Sequence, residues 1–293
     1  MGSLVEVSFA DLIKLAPSAS LIKIKRKKIK SKMSGDYHTK LKGRGMEFDE
    51  VRPYQAGDDV RTIDWRVTAR TNKTHTKLFR EERERPVFIT LDNRKNMQFA
   101  TRGVFKAVQA KKIATLLAWN AQHEGDKVGG QVFSDSECME LKPQSGRPAV
   151  LRFLNMLVQS AQKQSQQISF NQVLTRLIHH IHPGNQIYII SDFRGLNQQS
   201  GFHLNKLSRH CNVTLVHIFD TFEQKLPKQG VYHLVSGAKN LVINTRNKAV
   251  VNRYQNKFQT RVEHLRLFAQ KMNLTLIECS TTEKPVEVLR KWI

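Results

Sequence analysis

Two aspartates, Asp92 and Asp192, each end a short apolar run, and their types and positions suit metal chemistry. In α/β proteins the carboxyl ends of parallel strands meet at one edge of the sheet, where ligands bind. Two carboxylates at such an edge could coordinate a hard cation such as Mg²⁺, which prefers oxygen ligands. Arg94 lies two residues after Asp92, and its positive charge would compete with a metal ion for the same carboxylates.

The elements that position these aspartates are short apolar runs alternating with helical stretches. The runs are rich in β-branched residues and apolar on both faces, as buried parallel strands are, and they cover 86–92, 128–133, 186–192, 213–220 and 274–278. Apolar residues with 3.6-residue spacing predict helices around 150–158 and 170–181. The pattern predicts a doubly wound, mainly parallel α/β sheet with helices on both faces over residues 86–293.

The first 85 residues have a different pattern. Residues 9–15 could form a short amphipathic helix, and 21–32 begin by alternating apolar residues with Lys, as a half-buried edge strand does. Residues 43–85 are polar, turn-rich and dense in paired charges. We therefore predict a small strand-rich Arg/Asp/Glu module over residues 1–85, followed by the α/β domain over 86–293.

Arginines and carboxylates alternate within this module, which favours an ordered network over a solvated surface. Arginine pairs with carboxylates through two directional hydrogen bonds, whereas solvated surface ion pairs contribute little. Gly57-Asp58-Asp59 predicts a turn. We expect the network to form around Tyr54 and Trp65, with these members: Arg52, Tyr54, Gly57, Asp58, Asp59, Arg61, Asp64, Trp65 and Arg70.

The same segment resembles a known family. Its motifs Glu47-Phe48, Val51-Arg52-x-Tyr54, Gly57-Asp58-Asp59-x-Arg61-x-Ile63-Asp64-Trp65, Ala69-Arg70 and Glu82-Arg83-Glu84 are similar to the signature of the domain of unknown function 58 family. Members of that family are similar to von Willebrand A domains and are commonly encoded beside AAA+ ATPases of the MoxR group. The resemblance implies a von Willebrand A-like fold and an adaptor role with such an ATPase in maturation or assembly of other proteins.

The resemblance also implies where a metal would lie. A von Willebrand A domain usually holds Mg²⁺ through Asp-x-Ser-x-Ser after its first strand, a Thr and a further Asp. Here Asp92 and Asp192 match the two aspartates, Arg94 and Asn96 replace the serines, and Ser169 is the candidate for the Thr. We expect a degenerate, metal-free site in which Arg94 bridges the aspartates. The alternative is that Arg94 points to solvent and Mg²⁺ binds at Asp92 and Asp192.

No catalytic template is visible in the sequence. It contains no Walker-type phosphate loop and no Gly-x-Ser-x-Gly elbow, so we expect a non-enzymatic protein without catalytic residues or a cofactor. The N-terminus shows no basic segment followed by an apolar core, and no apolar run approaches the roughly 18 residues of a spanning helix. We expect a cytoplasmic protein.

The net charge of +23 is compatible with several classes of anionic partner. On the helix predicted over 247–271, Arg253, Lys257 and Arg261 repeat every four residues and form either a solvated face or an anion-binding one. We expect a protein partner, an AAA+ ATPase and its client. Nucleic acid is the alternative, although no nucleic-acid-binding motif is legible. Anionic membrane binding through residues 21–32 is a further alternative.

Overall fold

The structure, a computed structural model, describes residues 3–22, 46–81, 86–159, 167–226, 230–236 and 239–291. The chain divides into two compact units, one made of residues 1–30 and 85–293 and the other of residues 31–84. This division differs from the predicted 1–85 and 86–293. The reason is that Val7, Leu12, Ala19 and Ile22 are buried in the core of the α/β unit.

The strands and helices are numbered in chain order. The strands are β1 (Met46–Pro53), β2 (His75–Glu81), β3 (Val87–Asp92), β4 (Val128–Phe133), β5 (Cys138–Gln144), β6 (Gln186–Ser191), β7 (Asn212–Phe219), β8 (Val231–Ser236), β9 (Lys239–Asn244) and β10 (Thr275–Ser280). The α-helices are α1 (Phe9–Ile13), α2 (Ala16–Ala19), α3 (Trp65–Thr71), α4 (Lys106–His123), α5 (Arg147–Val158), α6 (Phe170–His180), α7 (Gln198–Ser208), α8 (Thr221–Gln224), α9 (Lys248–Lys271) and α10 (Pro285–Lys291).

A six-stranded sheet in the order β10-β7-β6-β3-β4-β5 forms the α/β unit. All neighbouring strands are parallel except β4 and β5. Helices α1, α2, α4, α5 and α10 pack on one face, and α6, α7 and α9 pack on the other. The predicted doubly wound α/β fold is confirmed. The strand order reverses between β3 and β6, and such a switch point is where ligands bind in these folds.

The other unit contains an antiparallel pair, β1 and β2, joined by a 3₁₀ turn at Val60–Thr62 and by α3. Asp59 begins the turn by accepting the backbone N–H of Arg61 at 3.0 Å. Asp64 caps α3 by accepting the N–H groups of Arg66 and Val67 at 3.0 and 3.2 Å. The predicted strand-rich character is confirmed for this unit. Most of the edge strand predicted over 21–32 lies outside the described residues.

Candidate functional site

Arg94 lies in the turn after β3 and contacts both aspartates of the switch point. Its Nε and Nη2 donate to the Asp92 carboxylate at 3.0 and 2.6 Å, and Nη2 lies 3.9 Å from Oδ1 of Asp192. The guanidinium also lies over the rings of Phe133 and Phe170, 5.4 and 5.8 Å from their centroids. Only 11% of its side chain is exposed, so the solvent-facing alternative is wrong.

A second internal cation, Lys106, lies on the other side of Asp192. Its side chain is 1% exposed, and its Nζ lies 3.2 Å from Oδ2 of Asp192 and 3.3 Å from Oε1 of Glu223. Arg194 supplies a third positive charge, because its Nε lies 3.3 Å from Oδ2 of Asp192 and its Nη2 donates to Glu223. The carboxylates are therefore neutralised by side chains of the protein itself.

Sequence reasoning missed Lys106, Arg194 and Glu223. Lys106 offered one signal, because it is a lone charge within the apolar stretch Val104-Phe105-Lys106-Ala107-Val108 that follows the Asp92 turn. A charged side chain in such a stretch is rarely buried unless it is paired. Glu223 offered none, since its contact with Lys106 spans 117 residues of sequence.

Ser191 provides the neutral part of the site. Its hydroxyl donates to Oδ2 of Asp92 at 2.6 Å and accepts the N–H of Phe193 at 2.9 Å. Phe193 has a φ of +53°, which is rare for an aromatic residue. Backbone strain of this kind collects at functional sites. The backbone carbonyl of the next residue, Arg194, accepts a hydrogen bond from Arg94 at 3.0 Å.

Two of the predicted site residues, Asn96 and Ser169, have other local roles. Asn96 is exposed in the 3₁₀ turn Lys95–Met97. Ser169 is the N-cap of α6, where its hydroxyl accepts the N–H of Gln172 at 3.3 Å and donates to the Gln172 side chain at 3.0 Å. The hydroxyl of Ser169, the candidate for the Thr of the family motif, is therefore used for helix capping.

The charges of the site do not fit Mg²⁺. Lys106 and the two arginines lie within 4 Å of the carboxylates that would be its ligands, and a dication there would be repelled. Within the described part of the chain, no group of three His, Cys, Asp or Glu side chains is arranged to hold a metal ion. No step through a bound metal follows from this geometry.

The two aspartates differ in their protonation energetics. Burial raises the pKa of Asp92, against the opposing effect of the Arg94 guanidinium. Burial also acts to raise the pKa of Asp192, but Lys106, the backbone N–H of Arg194 and the Arg194 charge together outweigh it, and the pKa lies below its usual value. Asp192 is consequently ionised at neutral pH and holds Lys106 in place.

Part of the predicted Arg/Asp network is a compact turn between β1 and α3. Nη2 of Arg52 donates to Oδ1 of Asp58 at 2.7 Å, and Oδ2 of Asp58 accepts the N–H of Gln55 at 2.9 Å. The Tyr54 hydroxyl donates to the backbone carbonyl of Asp58 at 3.4 Å. Gly57 permits the turn because its φ is +109°. Asp58 therefore stabilises this turn by accepting hydrogen bonds from Arg52 and Gln55.

The remainder of that network faces solvent. Trp65 is 67% exposed and Val60 is 60% exposed, so the expectation that the network forms around Trp65 is wrong. Arg61, Arg66 and Arg70 are exposed too, and none of the three forms an ion pair with another described residue. Residues 60–70, called the Trp65 segment below, thus present an aromatic side chain and three guanidiniums that pair with no other described residue.

The predicted basic face on α9 is only partly a surface. Arg253 and Lys257 are exposed. Arg261 is half-buried, and its guanidinium carbon lies 5.4 Å from the centroid of the Phe258 ring. Two of the three predicted residues are therefore available to an external anion.

Fold and site together define a doubly wound α/β protein whose carboxylate switch point is closed by its own cations. Residues 50–264 match the model of the family described as "Protein of unknown function DUF58", and the chain belongs to that family. The predicted resemblance is confirmed.

Similar proteins include uncharacterised proteins of Mycobacterium bovis and Mycobacterium tuberculosis, each 29% identical over 122 residues that cover 42% of this chain and 38% of the relative. The match thus spans well under half of those relatives. Among the described residues, no helix is both long and apolar enough to cross a membrane.

Three solved structures show partial similarity. An aerotolerance-related membrane protein from Bacteroides fragilis is 15% identical, with a TM-score of 0.46 over 71% of this chain and 96% of that chain. Conserved hypothetical protein BatB from Bacteroides thetaiotaomicron is 13% identical, with a TM-score of 0.43 over 71% of this chain and 96% of that chain. A von Willebrand factor type A protein from Catenulispora acidiphila is 10% identical, with a TM-score of 0.41 over 75% of this chain and 43% of that chain.

Proposed function

We propose that this protein is a non-enzymatic, cytoplasmic interaction module that binds a protein partner through the Trp65 segment. The observation that carries the proposal is the exposure of Trp65, at 67%, beside three exposed arginines that form no ion pair with another described residue. Trp and Arg are the residues that most often dominate binding energy at protein interfaces. The family resemblance points to an AAA+ ATPase of the MoxR group as the partner, in maturation or assembly of client proteins.

The local structure supports such a role because it holds the segment in place before a partner arrives. Asp58 organises the turn before Val60, Asp59 begins the 3₁₀ turn and Asp64 caps α3. A surface fixed in this way loses less conformational entropy on binding than a flexible one. The three arginines select for acidic side chains, with which guanidiniums form paired hydrogen bonds.

A direct test is binding to a purified MoxR-type AAA+ ATPase from the same organism, measured by biolayer interferometry. Trp65→Ser and Arg61→Ser should each weaken binding by about tenfold or more, the loss expected of a central interface residue. Phe202→Ser is the matched control, because Phe202 is 68% exposed but lies on α7 of the other unit. Wild-type affinity in both Trp65-segment variants, or an equal loss in the control, would refute the proposal.

Nucleic-acid binding is the second candidate, and the exposed pair Arg253 and Lys257 on α9 favours it. Binding of labelled single-stranded DNA should then weaken steeply with salt, with a slope set by the number of phosphate contacts. The double substitution Arg253→Ser and Lys257→Ser should reduce that slope, whereas Trp65→Ser should leave it unchanged. A slope that the double substitution does not alter would exclude this face as the nucleic-acid site.

A further inference from the structure

A cleft of about 390 Å³ opens in the α/β unit, next to the turn that follows β3. Its walls are the turn itself, the adjoining side of α4, the loop 134–136 after β4 and the N-terminal residues 5–7. Its volume lies within the range of small-molecule sites, and it opens at the carboxyl edge of the sheet, where such folds bind ligands. The cleft is separate from the closed Asp92–Asp192 site, because Asn93 and Lys95 line it while Asp92 and Arg94 face inward.

The distinctive group in this cleft is Lys111 of α4. It is half-buried, and its ammonium forms no hydrogen bond or ion pair with any other described residue. Burial lowers the pKa of this ammonium, and the Glu6 carboxylate opposes that effect from farther than ion-pair distance. Lys106, the buried lysine of the same helix, is by contrast held by two carboxylates. Lys111 therefore offers to the cleft an ammonium that no described residue holds in an ion pair.

The other residues that line the cleft indicate which charge and polarity the ligand should have. Glu6 and Asp135 also line the cleft, and they disfavour an anion that carries two charges. Val5, which is 49% exposed, and the half-buried Val158 supply apolar surface within the cleft. An anion that suits this combination carries a single charge and an apolar body.

We propose that the cleft binds a carboxylate carried on a small apolar group, with Lys111 as the group that recognises the carboxylate. Such a carboxylate is found both in free branched acids and at the C-terminal residue of a polypeptide chain. Lys95, at the mouth, adds a second positive charge, and the valines bury the apolar body. This site lies in the α/β unit, so the proposal does not depend on partner binding through the Trp65 segment.

The test is a titration of the ¹⁵N-labelled full chain, followed by amide chemical shifts. The probes are isovalerate, the peptide acetyl-Ala-Ala-Val with a free carboxylate, the same peptide amidated, and inorganic phosphate. Isovalerate or the free peptide should cause saturable shifts at the amides around Lys95 and Val108, and the tighter of the two identifies the source of the carboxylate. The amidated peptide should cause none.

Lys111→Met should weaken this binding by about tenfold or more. The matched control is Lys112→Met, because Lys112 is the next residue of α4 and does not line the cleft. Equal binding of the amidated peptide, tighter binding of phosphate, equal losses in the two variants, or no binding of any carboxylate would each overturn the proposal. Trp65→Ser should bind the probes as wild type does.

Discussion

At the scale of single residues, Arg94 is the side chain that most directly replaces a metal. It donates two hydrogen bonds to Asp92 and also lies over the rings of Phe133 and Phe170. Arg94→Ser removes one partner of a buried pair, and we expect it to lower the free energy of unfolding by roughly 3–5 kcal/mol. Mg²⁺ should then restore part of the loss, because the site would gain oxygen ligands and lose a cation.

Thermal unfolding with Mg²⁺ or a chelator measures this effect. For wild type, the melting temperature with Mg²⁺ should equal the melting temperature with chelator. The same should hold for the control Lys95→Ser, since Lys95 is an exposed neighbour of Arg94. If Mg²⁺ does not stabilise Arg94→Ser either, then Arg94 does not stand in for a metal ion.

His217 is a second residue with a measurable consequence. It lies between Phe193 and Phe219, with ring centroids 6.3 and 5.5 Å away, and its Nδ1 has no hydrogen-bond partner. Burial, aided by the Arg261 charge, lowers its pKa to about 4. The unfolded chain therefore binds this proton more readily than the folded one, so its contribution to stability is complete above about pH 6.5 and is lost as pH falls toward 4.

We expect this histidine to account for about 3 kcal/mol of the stability lost between pH 7 and pH 4. Urea unfolding at a series of pH values measures the loss, and His217→Leu should flatten the profile in that range. His203→Leu is the control, because the His203 side chain is half-exposed on α7, whereas His217 is buried. An unchanged profile in His217→Leu would assign the acid sensitivity to other groups.

At the scale of elements, burial decides which strands could be predicted. The strands β3, β4, β6, β7 and β10 agree with the apolar runs in the sequence, because most of their residues are buried. The edge strand β5 and the β8–β9 pair were not predicted. In β5 the side chains are half-buried or exposed, and no continuous apolar run marks it. Its apolar residues alternate with Glu140, Lys142 and Gln144, which is the pattern that could have predicted this strand. Helix α4 carries no single apolar stripe because residues around most of its circumference are buried.

The start of α3 supports a prediction at this scale. Asp64 accepts the N–H groups of Arg66 and Val67 and also lies 3.7 Å from Nζ of Lys77. Asp64→Ala leaves two helix N–H groups without an acceptor, so the first turn of α3 should fray. Hydrogen exchange at these two amides should accelerate several-fold, and partner binding through Trp65 should weaken with it.

Asp64→Asn is the matched control, because asparagine also caps helices and should retain slow exchange. Unchanged exchange in Asp64→Ala would mean that the capping contact does not hold the Trp65 segment in place.

At the scale of the whole molecule, the N-terminal residues belong to the α/β unit, although they are remote from it in sequence. Leu12 is fully buried in that core, whereas Leu21 is 59% exposed. Leu12→Ala should therefore lower the free energy of unfolding by roughly 2–5 kcal/mol. Leu21→Ala should change it by about 0.5 kcal/mol or less. Urea unfolding of both variants measures the difference, and equal effects would separate residues 3–22 from the core.

Some residues of the candidate site could be predicted from the sequence, whereas others reach the site only through contacts between distant elements. The approach of Asp92, Arg94 and Asp192 was predictable, since parallel strands on either side of a switch point bring their carboxyl ends together. Lys106 and Glu223 join them only because α4 and α8 pack over that edge, and the sequence pattern of strands and helices does not encode side-chain packing between helices. Exposure of Trp65 was not predictable for a related reason. A tryptophan among charges is compatible with a small core and with an open surface alike.

Lys106 has a consequence for the conditions in which the protein can work. When a metal ion occupies a switch point, the occupancy depends on the concentration of free metal ion in the surroundings. An ammonium synthesised as part of the chain is always present at a one-to-one ratio with its carboxylates. The folded protein should thus keep the same shape at this edge during metal starvation or chelation.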